Sequence, residues 1–379
     1  MKEENKRIWL ASPNMGGKEL DYINEAFETN WVAPVGPHID GFEKEMCDYL
    51  GINNSVALSC GTAAIHLALI LIGVKTGDEV LCQSFTFSAT ANPIIYQHAD
   101  PIFIDSEKDS WNMDPELLEK AINDRINKVG THPKAVIVVH LYGQSAQIAK
   151  IQEICNKYKI PLIEDAAEAL GSSYEGKKLG TFGDIGILSF NGNKIITTSS
   201  GGMLISNNES YVSKARFLAT QARDDAPHYE HSHVGFNYRM SNILAGIGRG
   251  QLLVLDKRVE QKRKIFKHYS DAFENIDGIE FQPEIKGSFS NKWLTAITID
   301  PEKTNITRED IRLELQKHNI ESRPLWKPMH LQPVFKDCIS YTNGVSEELF
   351  KNGLCLPSDT NMTEADQERV IEIIKKITG

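Results

Sequence analysis

The sequence predicts an α/β protein: a large domain built on a mostly parallel central sheet, followed by a smaller C-terminal α+β domain. Between about residues 55 and 207, short apolar stretches alternate with stretches of helical periodicity. The apolar stretches lack an alternating polar face, which is typical of strands buried on both sides of a parallel sheet. The chain changes character after this region. We therefore assign residues 1–255 to the large domain and residues 256–379 to the small one.

The elements of the large domain follow in order along the chain. SVALSC predicts a short strand, and GTAAIHLALILIGV predicts the helix after it. The next predicted strands are EVLCQSFTF, DPIFID, KAVIVVHLYG and IPLIEDAA, and the stretches PELLEKAIN and AQIAKIQEICNKYK predict helices between them. Asp114 and Pro115 have the N-cap and first-turn pattern of a helix start. GDIGILSF and GGMLISN close the alternating region.

A long helix is predicted to lead into the small domain. The segment SNILAGIGRGQLLVLDKRVEQKRKIFKHYSDAF carries apolar residues along one helical stripe, namely Leu252, Leu255, Val259, Phe266, Tyr269 and Phe273. Such a stripe favours one continuous helix. Beyond about residue 276, NKWLTAITID predicts a strand, and REDIRLELQKHN and EADQERVIEIIKKI predict helices.

Composition and charge exclude several classes of protein. The net charge is −10 and basic residues form no cluster with aromatic ones, so we expect no nucleic-acid partner. No apolar stretch reaches the length of a membrane helix, and the N-terminus lacks the apolar core of a signal peptide. The six cysteines form no CxxC pair, which disfavours a metal site or a disulfide framework. We therefore expect a cytoplasmic protein without a structural metal.

Lys194 is the one lysine in the segment SFNGNKIITTSSGGM, which runs from Ser189 to Met203. Small polar residues and glycines surround it, and apolar runs lie on both sides. A lysine in such a turn can be simply solvated. It can also form a Schiff base with a carbonyl compound, because an amine is the nucleophile that this chemistry requires. The segment alone leaves both interpretations open.

Two strand ends offer further candidate residues. In SCGTAAIH a strand gives way to a helix at Gly61, Thr62 and Ala63, and the free N–H groups of a helix start favour a phosphate. Thr62 is equally suited to ordinary helix capping. In IPLIEDAAEALG an apolar strand ends at Asp165, and ligands of open parallel sheets lie at such ends. Asp165 and Glu168 are also compatible with capping or a structural ion pair.

Aromatic residues complete the set. The stretch FTF contributes Phe85 and Phe87, each of which can stack on a planar cofactor or simply join the core. Together, the four features meet the requirements of pyridoxal phosphate. Lys194 would form the Schiff base, and Asp165 would keep the pyridine nitrogen protonated. The helix start at Thr62 would receive the phosphate, and Phe87 would cover one face of the ring.

Four segments strongly resemble the DegT/DnrJ-type nucleotide-sugar aminotransferases: GTAAIHLAL, EDAAEALG, SFNGNKIITTSSGGM and HVGFNYRMSNILAGIG. The resemblance extends from about Ser12 to the C-terminus. It implies the aspartate-aminotransferase fold, which is fold type I of the pyridoxal-phosphate enzymes. SPNMGGKEL, NWVAPVG, LPSDTNMT and above all SFNGNKIITTS are similar to the branch that aminates UDP-4-keto-6-deoxy-N-acetylglucosamine. That branch includes the bacillosamine-pathway transaminase and related exopolysaccharide-cluster enzymes.

The resemblance implies a role for each matching residue. Lys194 matches the Schiff-base lysine, Asp165 the partner of the pyridine nitrogen, and Glu168 a Gln/Glu near the 3-hydroxyl edge of the cofactor. Phe87 matches the stacking aromatic. The phosphate contacts match Gly61, Thr62, Ala63, Ser189 and Asn237. The asparagine reaches the phosphate from the other subunit, so the resemblance implies a homodimer with shared active sites.

Two segments match the sugar-nucleotide site. They contribute Asn30, Trp31, Val32 and Ala33 from NWVAPVG, and Arg323, Trp326 and His330 from RPLWKPMH.

Some relatives carry histidine in place of Lys194 and catalyse a dehydration, which the lysine disfavours here. Close relatives carry glycine where Ser200 stands. A serine there would reshape the loop if the φ angle at residue 200 were positive.

The resemblance thus implies transfer of an amino group from L-glutamate to the 4-keto carbon of a UDP-linked 4-keto-6-deoxy-N-acetylhexosamine. The product would be a UDP-4-amino-4,6-dideoxy sugar for polysaccharide biosynthesis. A 3-keto-sugar aminotransferase or a lyase on the same fold remains an alternative, as does a cofactor-binding regulatory protein without catalysis. The presence of Lys194, Asp165 and Ser189 argues against the regulator. The sequence leaves the exact hexose and the stereochemistry at C4 open.

Overall fold

The computed structural model of the protein describes residues 6–378. The strands are β1 (Asn54–Leu58), β2 (Glu79–Gln83), β3 (Asp100–Ile104), β4 (Ala135–Val139), β5 (Leu162–Asp165), β6 (Ser173–Tyr174), β7 (Lys177–Lys178), β8 (Ile185–Ser189), β9 (Gly202–Ser206), β10 (Ile279–Phe281), β11 (Ser288–Phe289), β12 (Thr295–Ile299), β13 (Arg323–Pro324), β14 (Ser340–Tyr341) and β15 (Gly353–Leu356). The helices are α1 (Glu19–Glu28), α2 (Pro37–Leu50), α3 (Gly61–Ile72), α4 (Ser88–Tyr96), α5 (Pro115–Val129), α6 (Ile148–Tyr158), α7 (Glu209–Ala219), α8 (Asn242–Leu252), α9 (Leu255–Phe273), α10 (Pro301–Thr304), α11 (Arg308–Lys317), α12 (Val345–Asn352) and α13 (Glu364–Thr378). Short 3-10 helices cover Leu141–Gly143, Met329–Leu331 and Pro333–Phe335.

The central sheet has eight strands in the order β1–β9–β8–β5–β4–β2–β3–β14. Every neighbouring pair from β8 to β14 is parallel, whereas β9 runs antiparallel to both β1 and β8. Each residue of β4 is buried, and apolar clusters lie on both faces of the sheet. The predicted α/β fold with a mostly parallel sheet is therefore confirmed. Parallel strands end at the same edge of a sheet, so β5 and β8 deliver their last residues to one place.

Local sequence explains where the helices beside this edge begin. The Asp114 side chain accepts the N–H groups of Glu116 and Leu117, so it caps α5 as its sequence pattern predicts. The strand predicted over EVLCQSFTF stops at Gln83, which is shorter than expected. The Gln83 side chain donates to the carbonyl of Phe85, and the chain turns into α4 at Ser88. Phe85 and Phe87 thus lie in the turn after the strand rather than within it.

The predicted long helix is two helices. α8 ends at Leu252 and α9 begins at Leu255, because Val254 leaves the helical region with φ −112° and ψ 5°. The two halves pack on different partners. α8 lies against α1 and α2 and brings Gly248 and Gly250 into close contact with them, whereas the second half of α9 packs in the C-terminal core. The prediction of a single helix was therefore wrong.

The C-terminal part forms an antiparallel sheet in the order β10–β12–β15–β13. Residues of α9, α11 and α13 cover it with a separate apolar core. Several connections cross residue 255: β14 joins the central sheet beside β3, β11 pairs with β6, and Ile8 pairs with Ile320. The division into domains at that residue stays a prediction.

Among residues 6–378, no helix is both long and apolar enough to cross a membrane. Within the same range, no three His, Cys, Asp or Glu side chains are grouped as metal ligands. All six cysteines are free thiols.

Candidate active site

A pocket lies where β5 and β8 end and α3 begins. Eight of the predicted site residues line it: Gly61, Thr62, Phe87, Asp165, Glu168, Ser189, Lys194 and Trp326. The other lining residues include Cys60, Thr86, Thr90, Asn191, Asn193 and Trp293. The topology of the sheet accounts for this convergence, since Asp165 and Ser189 are the last residues of two neighbouring parallel strands.

Asp165 forms the floor of the pocket and is nearly buried. Its Oδ2 accepts a hydrogen bond of 2.7 Å from the Thr90 hydroxyl, which also lies 2.8 Å from the Thr86 hydroxyl. Its Oδ1 accepts the N–H of Ala167 at 3.1 Å. These contacts fix both carboxylate oxygens at the strand end. A carboxylate held in this way can accept the N–H of a protonated heteroaromatic ring.

Lys194 reaches the same pocket from the segment after β8. Its side chain is 14% exposed, and its Nζ lies 3.5 Å from Oε1 of Glu168. The Nζ also lies 4.3 Å from the centre of the Trp293 ring. The other oxygen of Glu168 accepts the N–H of Tyr142 at 2.8 Å. Burial raises the pKa of Glu168 above its usual value, while the nearby Lys194 ammonium opposes that rise.

The helix start at α3 is a candidate anion cradle. The Cys60 Sγ accepts the N–H of Ala63 at 3.4 Å, while the N–H groups of Gly61 and Thr62 precede the first hydrogen bonds of the helix. Backbone packing is very close here, because a Cβ on Gly202 would lie 2.3 Å from the carbonyl carbon of Cys60. Only glycine at 202 lets β9 approach this turn. The predicted contact through Ala63 is the weakest of the group, since its N–H already has a partner.

Two aromatic side chains form the outer wall. The Phe87 ring is 53% exposed and lies 5.3 Å from the Trp326 ring. Trp326 stacks on Tyr142 at 6.2 Å, and its backbone N–H donates to the Tyr142 hydroxyl at 2.9 Å. Phe85 is fully buried and meets Tyr142 edge-on, so it belongs to the core. Of the two phenylalanines, Phe87 is the one that borders the pocket.

The residue set fits pyridoxal phosphate by its chemistry. It offers a primary amine, a buried carboxylate, a helix start flanked by hydroxyls, and an aromatic face beside them. Lys194 would hold the aldehyde carbon, Asp165 the ring nitrogen, and the cradle at Thr62 and Ser189 the phosphate. The roles of the individual residues stay predictions.

Several predicted residues lie away from this pocket. Asn237 is exposed and pairs through its backbone with Thr220. Arg323 is exposed and its guanidinium bonds Glu321 at 2.9 Å. The segment from Asn30 to Ala33, which includes Trp31 and Val32, is exposed along its length. The binding roles of these residues stay predictions, because a single chain does not bring them to the pocket.

His330 also lies outside the pocket, in a hydrogen-bonded chain. Its Nδ1 lies 2.6 Å from the Ser84 Oγ, and its Nε2 lies 3.2 Å from Oε1 of Glu347. Its backbone N–H also donates to the Ser84 hydroxyl. The imidazole is therefore engaged on both sides, between the end of β2 and the start of α12.

The φ angles of the loop after Lys194 show whether Ser200 strains the backbone. The positive φ angle, 71°, is at Ser199, and Ser200 is not among the positive-φ residues. The Ser200 hydroxyl donates to the carbonyl of Ser59 at 2.9 Å. A serine at position 200 therefore introduces no backbone strain, and it ties the loop to the strand end before the anion cradle.

The structure adds lining residues that the sequence analysis did not find. Thr90 fixes Asp165, and Trp293 contacts Lys194. A hydroxyl one turn into a helix and a tryptophan beside a strand are common features, so neither carries a local signal. Both reach the pocket only through tertiary packing.

Comparison with known proteins identifies the family. The sequence profile of the DegT/DnrJ/EryC1/StrS aminotransferase family matches residues 13–375. The chain belongs to this family. It is a pyridoxal-phosphate-dependent aminotransferase, and the resemblance inferred from its motifs is confirmed.

Individual relatives match over nearly the whole chain. The chain is 55% identical to EpsN of Bacillus subtilis (strain 168), named as a candidate pyridoxal phosphate-dependent aminotransferase, over 98% of this chain and 95% of the relative. It is 36% identical to a GDP-perosamine synthase of Caulobacter vibrioides, over 98% of each chain. A crystal structure of a DegT DnrJ EryC1 StrS aminotransferase from Brucella abortus superposes with a TM-score of 0.89 and 29% identity, covering 96% of this chain and 95% of that one.

Proposed function

We propose that the protein transfers the amino group of L-glutamate to the 4-keto carbon of a UDP-linked 4-keto-6-deoxy-N-acetylhexosamine. The product would be a UDP-4-amino-4,6-dideoxy sugar used for polysaccharide biosynthesis. The observation that carries the aminotransferase chemistry is the approach of the Lys194 amine, the Asp165 carboxylate and the α3 helix start in one pocket. The choice of a UDP sugar rests on the motifs shared with the UDP-4-keto-6-deoxy-N-acetylglucosamine branch of the family.

The residues divide the chemical work between them. When bound, pyridoxal phosphate supplies a carbonyl carbon that forms imines and a ring that withdraws electrons. Asp165 keeps a proton on the ring nitrogen and so sustains that withdrawal. Lys194, once its Nζ is free, would remove the proton from Cα of the glutamate as general base and would deliver it, as general acid, to the cofactor carbon that the lysine had held. In the second half-reaction Lys194 moves the proton in the reverse direction, toward C4 of the sugar.

Glu168 supports the lysine in this cycle. The Glu168 carboxylate lies 3.5 Å from Nζ and is buried. Solvent therefore screens the attraction between the carboxylate and the ammonium only weakly. The Tyr142 N–H holds the second oxygen in place. We propose that this pair keeps the freed amine inside the pocket between the two half-reactions.

The sugar nucleotide would enter from the side of Phe87 and Trp326. A sugar presents an apolar face beside its hydroxyls, and aromatic rings pack well against such a face. We further propose a homodimer in which Asn237 and the segment from Asn30 to Ala33 complete the site of the partner. In support, these residues are exposed on the single chain. Asn237 carries the resemblance to a site shared between subunits, and the segment carries the resemblance to a sugar-nucleotide site.

An absorbance experiment tests the proposal directly. The purified protein loaded with pyridoxal phosphate is treated first with L-glutamate and then with UDP-4-keto-6-deoxy-N-acetylglucosamine. We expect glutamate to bleach the visible band of the lysine-bound cofactor and the keto-sugar to restore it. Bleaching without restoration would overturn the substrate and leave the aminotransferase chemistry in place. A protein that shows no such band with pyridoxal phosphate would contradict the assignment of Lys194.

The identity to a GDP-perosamine synthase favours one alternative substrate class. A GDP-linked keto-sugar should therefore be assayed in parallel, with 2-oxoglutarate formation as the common readout. Restoration of the band by the GDP sugar alone would replace the UDP assignment.

A further inference from the structure

We propose that Trp293 is a positioning residue for Lys194, holding its ammonium against the indole ring and its loop by the indole N–H. This inference rests on the proposed role of Lys194 as the Schiff-base residue. Trp293 lies just before β12, in the C-terminal part of the chain, whereas Lys194 follows β8 of the central sheet. One side chain thus connects the smaller sheet to the reactive amine.

The first contact is between the amine and the face of the ring. The Lys194 Nζ lies 4.3 Å from the centre of the Trp293 ring. The tryptophan is 1% exposed, so the contact is largely shielded from water. The face of an indole ring is negative and attracts a cation, and this attraction is stronger where water is excluded. The ring therefore favours the charged amine and fixes its position.

The second contact is one residue earlier in the loop. The indole Nε1–H donates to the carbonyl oxygen of Asn193 at 2.8 Å. The backbone N–H of Lys194 in turn donates to the carbonyl of Asn191 at 3.0 Å, which closes the turn. The indole thus restrains both the side chain of Lys194 and the backbone that carries it.

A buried asparagine fixes the backbone that carries the indole. The Asn291 Oδ1 accepts the backbone N–H of Trp293 at 2.9 Å. The Asn291 Nδ2 donates to the carbonyl of Glu168 at 2.9 Å and to that of Leu170 at 2.8 Å. One amide side chain therefore joins the backbones of Glu168 and Trp293, the two residues whose side chains contact the Lys194 amine. This arrangement is what distinguishes Trp293 from an ordinary core tryptophan.

The other groups near the amine must stay constant in any test. The titratable residues that line the pocket with Lys194 are Cys60, Asp165 and Glu168. The Glu168 carboxylate also favours the charged amine. A substitution at Trp293 leaves all three groups in the chain, so a change in the titration of the amine would report the loss of the ring.

The experiment measures how Lys194 reacts with a trace amine-labelling reagent, such as acetic anhydride, as a function of pH. It uses the full chain freed of cofactor, with the labelled peptide quantified by mass spectrometry. In Trp293→Leu, which lacks a ring, we expect the midpoint of labelling to move to lower pH by about half a unit to one unit. In Trp293→Phe, which keeps a ring face but has no N–H, we expect a smaller shift. The phenylalanine variant should instead show faster hydrogen exchange in the peptide that contains Asn193.

Trp111→Leu is the matched control, because Trp111 is also buried but lies outside the pocket. Its Lys194 peptide should be labelled as in the native chain. A folded Trp293→Leu protein with an unchanged midpoint would overturn the role of the ring. Unchanged hydrogen exchange in Trp293→Phe would overturn the role of the indole N–H. This measurement on the phenylalanine variant tests the proposal even if the leucine variant does not fold.

A separate measurement distinguishes failure of this inference from failure of the proposed function. Borohydride reduction of the native protein with pyridoxal phosphate should attach the cofactor to Lys194. If it does not, the proposed function fails, while the labelling of the cofactor-free chain still decides whether Trp293 acts on that amine.

Discussion

The cofactor pocket and the segments predicted to bind the sugar nucleotide are built in different ways. The pocket joins two adjacent strand ends and a helix start within one chain, and its acidic residues Asp165 and Glu168 are each 5% exposed. The segment around Trp31 and Val32 lies on the surface, where each side chain is 44% exposed. Val35, in the same segment, is 59% exposed.

This difference teaches where a second chain is needed. Large apolar side chains grouped on a surface mark an interaction site. The segment is not loose, because the Asn242 side chain bonds the carbonyl of Trp31 and caps the start of α2 through the N–H groups of His38 and Ile39. A fixed, exposed apolar segment is what a partner subunit would cover. A single chain therefore supplies the amine, the carboxylate and the helix start of the pocket. We expect a partner chain to add the Asn237 contact to the phosphate and to cover the segment around Trp31.

The largest effect is expected at the centre of the pocket. Lys194→Ala should lower turnover at least about a thousandfold, because the Schiff base and the proton transfer both depend on this amine. It should also abolish the visible band of the bound cofactor. Lys75→Ala, in an exposed turn after α3, should leave both unchanged. Full activity of the Lys194→Ala chain would refute the assignment.

The next effect tests whether two chains share a site. Asn237→Ala should raise the dissociation constant of pyridoxal phosphate about tenfold, the loss expected for one hydrogen bond to a charged group. Mixing this chain with Lys194→Ala should give hybrid dimers in which one of two sites has both residues. At limiting cofactor, activity should recover to about a quarter of the native value. If subunits exchange and no activity returns, the two residues do not belong to sites shared in this way.

A smaller effect is expected at the wall of the pocket. His330→Ala removes the contacts to Ser84 and Glu347 and should loosen the segment that carries Trp326. We expect KM for the keto-sugar to rise about three- to tenfold, with the glutamate half-reaction unchanged. His330→Asn keeps a polar atom near the Ser84 hydroxyl and should retain most of the affinity. An asparagine variant as weak as the alanine one would indicate that the imidazole itself contacts the sugar nucleotide.

The smallest effect concerns stability and pH. Burial raises the pKa of Glu168, so the folded chain binds this proton more tightly than the unfolded chain does. The stability that this group contributes is therefore lost as the pH rises from about 4.5 through the raised pKa of Glu168 in the folded chain. Glu168→Gln should raise the melting temperature at pH 7 by about 1 °C, and the gain should vanish near pH 4.

The exposed Glu153 provides the control for that measurement. Glu153→Gln should show no such dependence on pH. A Glu168→Gln chain that is less stable than the native one at pH 7 would mean that the attraction to Lys194 outweighs the cost of burying the carboxylate.

The same contrast explains what the sequence could and could not predict. Lys194, Asp165 and Thr62 were found because strand ends and helix starts follow from local periodicity, and a parallel sheet brings such ends together. Trp293 could not be found, since its contact with Lys194 depends on how the second sheet packs on the first. The resemblance predicts His330 at the sugar nucleotide, and the contacts of its ring to Ser84 and Glu347 depend on tertiary packing that the sequence does not show.

The break between α8 and α9 shows the same limit at the level of the fold. The apolar stripe through Leu252 and Leu255 has helical spacing on both sides of Val254. The spacing alone therefore gives no sign that the two halves pack on different surfaces.

The pairing of the chain's early and late segments has a consequence for its synthesis. Ile8 pairs with Ile320, and the carbonyl of Leu10 accepts the N–H of Ser358. The edge strand β14 joins β3 from more than 230 residues away. None of these contacts can form until the ribosome has passed those late residues. The nascent chain must therefore carry an open sheet edge beside β3 and an undocked N-terminal segment until these late residues have been translated, and we expect this to be the period when it depends most on chaperones.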